Sequence, residues 1–101
     1  MATTSKTLFR GAATTTVGTT LYTVPSSTTT IVTSIVVTNT AASAGTYTLA
    51  LGGTNLATTV TVGASDSTVI DLKQVLTATQ TITGGANATT INFHIGGVEI
   101  S

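Results

Sequence analysis

The stretch Thr46-Tyr47-Thr48-Leu49-Ala50-Leu51-Gly52-Gly53-Thr54-Asn55-Leu56-Ala57-Thr58-Thr59-Val60-Thr61-Val62 alternates apolar and small polar residues on either side of a glycine pair. Tyr47, Leu49 and Leu51 share one parity, and Thr46, Thr48 and Ala50 share the other, which is the period of a half-buried strand. After Gly52-Gly53-Thr54-Asn55 the alternation resumes over residues 56–62. Leu56, Val60 and Val62 are expected inward, and Ala57, Thr59 and Thr61 outward. Two such runs joined by a short glycine-rich loop predict an antiparallel hairpin.

The same period extends outward from this hairpin. Residues 20–24 alternate Leu21 against Tyr22 and stop at Pro25, which cannot donate to a central ladder. Residues 31–38 place Ile31, Ile35 and Val37 on one face and Val32, Ser34 and Val36 on the other, so that strand is expected to be covered on both sides. Residues 63–67 form a turn. Residues 68–72 follow as a strand, with Ile70 and Leu72 inward and Asp71 and Lys73 on the outer face. Residues 73–79 hold at most one helical turn, and 80–83 make a short strand around Ile82. Gly84-Gly85-Ala86-Asn87 reads as a loop. Ile91, Phe93 and Ile95 form the inner face of the last long strand. Gly96-Gly97 then predicts a bulge, because Val98 and Ile100 continue on the opposite parity.

Seven to eight short strands predict an all-β fold, an antiparallel two-sheet sandwich of Ig-like or jelly-roll type. Residues 1–19, with Leu8, Phe9 and Val17 as their large apolar members, read as an N-terminal arm or edge strand beside a sandwich spanning 20–101. A length of 101 residues bounds this to one domain. Threonine fills 28 positions, and ten Val and seven Ile bring β-branched residues to nearly half the chain. Such side chains crowd a helix and suit a pleated surface. A hydrophobic fraction of 41% and a single proline exclude a disordered, glycosylated stalk.

Charge removes several functions. Three basic and three acidic residues give a net charge of zero, without the basic cluster that neutralises phosphates or an anionic lipid surface. No partner of nucleic-acid or membrane type is expected. The N-terminal residues lack the apolar segment of a secretory signal, and no apolar run approaches the roughly 20 residues of a spanning helix. There is no cysteine for a disulfide or a zinc site.

Catalytic chemistry needs a nucleophile, a base and a group that orients the base. The chain has one histidine, His94, and three carboxylates, Asp66, Asp71 and Glu99. A Ser34, His94, Asp71 triad can be written, yet no spacing favours it, and parity sets His94 beside Asn92 on an outer face. Asp66 and Asp71 are too sparse for calcium, which wants six to eight oxygens. Asp66 is better read as a turn former accepting a local backbone N–H. The glycine pairs lie between strands and not before a helix, so they do not cradle phosphate. Asn87-Ala88-Thr89 fits the glycosylation pattern, but without a secretory signal it reads as chance. The chain is expected to be no enzyme, with no cofactor and no metal.

Lys6 and Arg10 flank Leu8-Phe9. They fit an edge strand with solvated cations, or an anchor in which Phe9 fills a neighbour's pocket and Arg10 pairs with a carboxylate there. Lys6, Phe9 and Arg10 are therefore the candidate partner-contact residues. A surface made polar by threonine hydroxyls costs little to desolvate and little side-chain entropy to fix. It suits a dense, permanent assembly.

Thr20-Leu21-Tyr22-Thr23-Val24-Pro25 and Thr30-Ile31-Val32-Thr33-Ser34-Ile35-Val36-Val37-Thr38-Asn39-Thr40 resemble a small β-sandwich family of tailed bacteriophage virions. Val69-Ile70-Asp71-Leu72-Lys73-Gln74-Val75-Leu76 and Asn92-Phe93-His94-Ile95-Gly96-Gly97-Val98-Glu99-Ile100 resemble it too. The likeness is one of strand texture and covers most of residues 20–101. It implies a structural protein of the virion, a capsid decoration (cement) protein that binds between capsid subunits. Its partner would be the major capsid protein or another virion protein, and it would act as a homo-oligomer such as a trimer. The alternative it implies is a tail- or fibre-associated module; a separate reading is a glycan-binding adhesion module, for which the chain offers only Phe9, Tyr22, Tyr47 and Phe93 as aromatic platforms. No functional residue carries over, because the family pattern is structural.

Overall fold

The computed structural model describes residues 2–101 and contains, among them, eight strands and no helix. In chain order these are β1 (Thr3–Ala12), β2 (Thr20–Thr23), β3 (Thr29–Asn39), β4 (Gly45–Leu51), β5 (Thr54–Val62), β6 (Ser67–Leu76), β7 (Thr81–Ala86) and β8 (Ile91–Ile100). They form two four-stranded sheets, β1-β8-β3-β6 and β2-β7-β4-β5, with every pairing antiparallel. Each sheet takes strands from the beginning, middle and end of the chain. That order is a jelly roll, and it decides between the two sandwich types expected. The N-terminal segment is edge strand β1, paired along its length with β8.

The inward parities meet between the sheets. Val32, Ile35, Val37, Ile91, Phe93 and Ile95 come from one sheet, and Tyr47, Leu49, Val62 and Ile82 from the other, all essentially solvent-free. Each such side chain contributes about 1.5–3 kcal/mol relative to exposure. Tyr47 and Phe93 meet edge to face across the sandwich, with ring centroids 6.2 Å apart and planes at 73°. The expected inner faces of β4 and β8 are thus those observed.

The β4–β5 hairpin closes more tightly than expected. Gly52 and Gly53 form the two-residue turn with φ of 59° and 84°, and Thr54 already pairs with Leu51. Positive φ at both turn positions matches the twist of the flanking strands and favours glycine.

Elsewhere bulges overturn the expected faces. Thr33 is an extra residue in β3 relative to β8, between Val32 and Ser34, so Val32 joins Ile35 and Val37 on the inner face and Ile31 lies on the outer one, not with them as expected. Leu8 is the corresponding extra residue of β1. Thr33 lies opposite the step between Gly96 and Gly97 and Leu8 opposite the step between Ile95 and Gly96, while β8 itself runs through the glycine pair without a phase shift. The bulge predicted at the glycines is therefore in the neighbouring strands, and Glu99 keeps the parity of Ile95. In β5, Thr59 has φ of 49°, and its N–H donates to the Thr48 hydroxyl at 3.0 Å instead of continuing the ladder. Register irregularities there turn Ala57 toward the core and leave Leu56 exposed, with Val60 about one-third exposed. Leu56 was expected inward.

Two further expectations fail for packing reasons. The strand expected to end at residue 72 runs on to Leu76, which is buried opposite Thr30, and residues 73–76 stay within the expected limit of one helical turn by forming none. Gly84, Gly85 and Ala86 are buried members of β7 and not a loop. The β1–β2 connection lies directly on them: Gly84 N donates to Thr19 O at 2.9 Å and Ala86 N to Thr14 O at 2.9 Å. A Cβ on Gly85 would sit 2.7 Å from the Thr16 carbonyl carbon and 2.8 Å from Val17 Cα. Glycine is required by this close backbone approach.

Candidate functional site

The candidate contact residues part company in the structure. Lys6 lies opposite Gly97, and its Nζ is 3.3 Å from Glu99 Oε1 and 3.4 Å from Oε2. Glu99 also accepts a short hydrogen bond from the Tyr22 hydroxyl, and that hydroxyl lies 2.9 Å from Thr30 Oγ1. Tyr22 belongs to β2 in the opposite sheet, so the cluster ties both sheets together at one end of the sandwich. The hydrogen bond from Tyr22 holds the Glu99 carboxyl below its ordinary range against the opposing effect of burial, and Lys6 adds to the lowering. Burial pushes the Tyr22 phenol up, and the carboxylate beside it pushes the same way. Phe9 is half-buried against the protein's own core. Arg10 alone of the three stands exposed on the outer face, opposite His94.

That outer face belongs to the β1-β8-β3-β6 sheet. Its outward positions align across all four strands in rows. One row runs Arg10, His94, Val36, Val69; the next runs Thr7, Gly96, Ser34, Asp71; a third runs Ser5, Val98, Ile31, Val75. Val69 and Val75 are 62% and 59% exposed. The absent side chain of Gly96 leaves a hollow of about 230 Å³ edged by Thr7, Arg10, Ser34, Val36 and His94. A wider, shallower depression of about 460 Å³ adjoins the β3 bulge beside Thr33, Asp71, Leu72 and Lys73. A cation thus marks one edge of the face, and Asp71 and Lys73 mark the other.

Ser34, His94 and Asp71 share this face, but in the wrong order for catalysis. Ser34 pairs across to Gly96 and Asp71, whereas His94 pairs to Arg10 and Val36. The register sets the hydroxyl between imidazole and carboxylate, and a triad needs the imidazole in the middle. Asp66 accepts the Ser67 N–H at 2.8 Å within its turn, as expected. Among the described residues no three His, Asp or Glu side chains cluster to hold a metal ion. All four aromatic rings pack in or against the core.

The Tyr22–Glu99 brace was missed from the sequence because the phase shift expected at Gly96-Gly97 turned Glu99 outward. The signal for it was present: Ile95, Gly97 and Glu99 share one parity. Asn39 was missed as well. Its Nδ2 donates to Ser43 O at 2.9 Å, and its Oδ1 accepts from Ala41 N at 3.0 Å. No protein-family model matches the chain, and no curated protein matches it.

Proposed function

We propose that this chain is a non-enzymatic structural protein of an assembled particle, a decoration protein that binds between capsid subunits of a tailed-phage virion. Its partner is the major capsid protein or another virion protein, and it needs no cofactor. The observation that carries the reading is the outer face of the β1-β8-β3-β6 sheet. One face of that sheet already forms the core, yet the other presents Val98, Ile31 and Val75 in an unbroken cross-strand row. Hydroxyls flank the row, and few charges interrupt it. Apolar area of this kind gains about 25 cal/mol per Å² when a partner covers it, and a threonine hydroxyl that finds a hydrogen-bond partner there costs far less to desolvate than a charge. Jelly rolls serve viral coats, lectins and cupins alike, so topology supports the reading only as analogy. The test is to add purified protein to undecorated heads. Stoichiometric binding with a raised melting temperature of the heads is expected; heads that neither bind it nor gain stability overturn the proposal.

A further inference from the structure

We infer that two copies of this chain associate face to face through the outer surface of the β1-β8-β3-β6 sheet, about a two-fold axis parallel to the strands, with Asp71 of each copy entering the hollow beside Arg10 of the other. The inference rests on the reading of that face as a contact surface within the assembled particle and assigns it to a second copy, so that the dimer meets the capsid through its remaining surface.

The strand order dictates the geometry. A two-fold axis along the strands lays β1 over β6 of the second copy and β8 over its β3. Heights along the strands are conserved, so each row meets its own counterpart in reverse order. Val98 then covers Ile31 of the other copy, and Ile31 covers its Val98. The row of Thr7 and Gly96 meets the row that ends in Asp71, bringing that carboxylate over Thr7 and beside Arg10. The hollow is lined there by Arg10, His94, Ser34 and Thr7, all able to donate to a carboxylate. The contact is self-complementary, as a closed two-fold interface must be. Turning the axis across the strands would stack β1 on β1 and cover Arg10 with Ser5, desolvating the guanidinium without a partner.

The area suffices. Four strands about 4.8 Å apart and ten residues long at about 3.3 Å each give roughly 600 Å² per copy. The total of about 1,200 Å² reaches the lower bound of specific interfaces. Two sheets packed this way align within about 30°.

The experiment is sedimentation velocity and light scattering of the full chain across a concentration series, with R10D, D71R and the R10D/D71R double variant. Both residues are exposed, so far-UV circular dichroism should be unchanged. A dimer mass is expected, each single reversal should weaken the dimer about ten-fold or more, and the double variant should recover most of the loss. A mass that stays monomeric overturns the inference. So does a trimer, or a dimer indifferent to Arg10 reversal but lost with K73E, which would signal the axis across the strands. Head binding by a monomer leaves the decoration reading standing without this dimer. A dimer that ignores heads does the reverse.

Discussion

Glu99 is the residue on which side chains from both sheets converge: it accepts from Lys6 of β1 and from Tyr22 of β2. Its folded pKa is depressed, so its contribution to stability is fully present above the unfolded carboxylate value of about 4.3 and is lost as pH falls through the folded value. The acid limb of a stability–pH curve should therefore steepen below about pH 4. Y22F removes the largest cause of that depression, flattens the limb, and should cost about 1.5–3 kcal/mol at pH 7 by urea titration. An unaltered acid limb in Y22F would show that the phenol is not what holds Glu99. Tyr22 and Tyr47 both have raised phenol pKa values through burial. Their contributions are present below about pH 10 and are lost as pH rises through the folded values, so Y22F should also blunt alkaline unfolding. Asn39 plays a comparable part at the other end of β3, bonding the loop that follows it and, through a 3.3 Å bond, Gly63 of the β5–β6 turn. N39A leaves these part-buried backbone groups without that partner. It should lower the urea midpoint by the equivalent of about 1–3 kcal/mol at constant slope.

Strands are the level at which sequence and structure agree best and also where they diverge. Alternation located the strands because a half-buried pleat imposes period two, and Tyr47, Leu49, Phe93 and Ile95 fall inward as that period requires. It failed for Ile31 and Leu56 because one extra residue flips every face beyond it. A bulge at Thr33 or Thr59 is fixed by partner strands distant in the chain, which local periodicity does not contain. The bulges have a consequence for association. β1, β5 and β6 are long edge strands, and each meets its neighbour with an irregular register, which blunts edge-to-edge pairing and favours contact through a face. The candidate face was only half legible: Arg10, Asp71 and His94 were placed on the outside, but the row of Val98, Ile31 and Val75 needs the register of three strands. Sequence alone makes Gly85 a loop glycine, because its constraint comes from the β1–β2 connection lying across it. G85A should push that connection away and cost about 1–3 kcal/mol. Protection from hydrogen exchange should fall at Gly84 and Ala86, the two amides bonded to it, before it falls in β8. Unchanged protection at those amides would mean the connection is not held by the close approach.

On the scale of the whole molecule, the fold closes by pairing its first strand with its last. Ala2 N donates to Ser101 O at 2.6 Å and Ser101 N to Ala2 O at 2.9 Å, and the ladder continues from Thr3 opposite Ile100 to Ala12 opposite Asn92. Such separation in sequence delays the reward for closing the chain until most of it is in place, so refolding should be slow for this size, in milliseconds to seconds. The first strand is part of the core, since Leu8 is buried and Phe9 packs beside it. Leu8 is worth about 1.5–3 kcal/mol and the half-buried Phe9 a part of that, and loss of the strand also removes its ladder hydrogen bonds and bares the β8 edge. A domain holding about 5–15 kcal/mol in total cannot spare that sum. Deleting residues 1–12 should therefore abolish the cooperative urea transition and expose dye-binding apolar surface, before any question of association arises. R10D, which leaves the strand and its buried residues in place, should keep the transition and change only the mass in solution. If the truncated chain instead unfolds cooperatively near the midpoint of the full chain, β1 is an appendage of the sandwich and not a member of it.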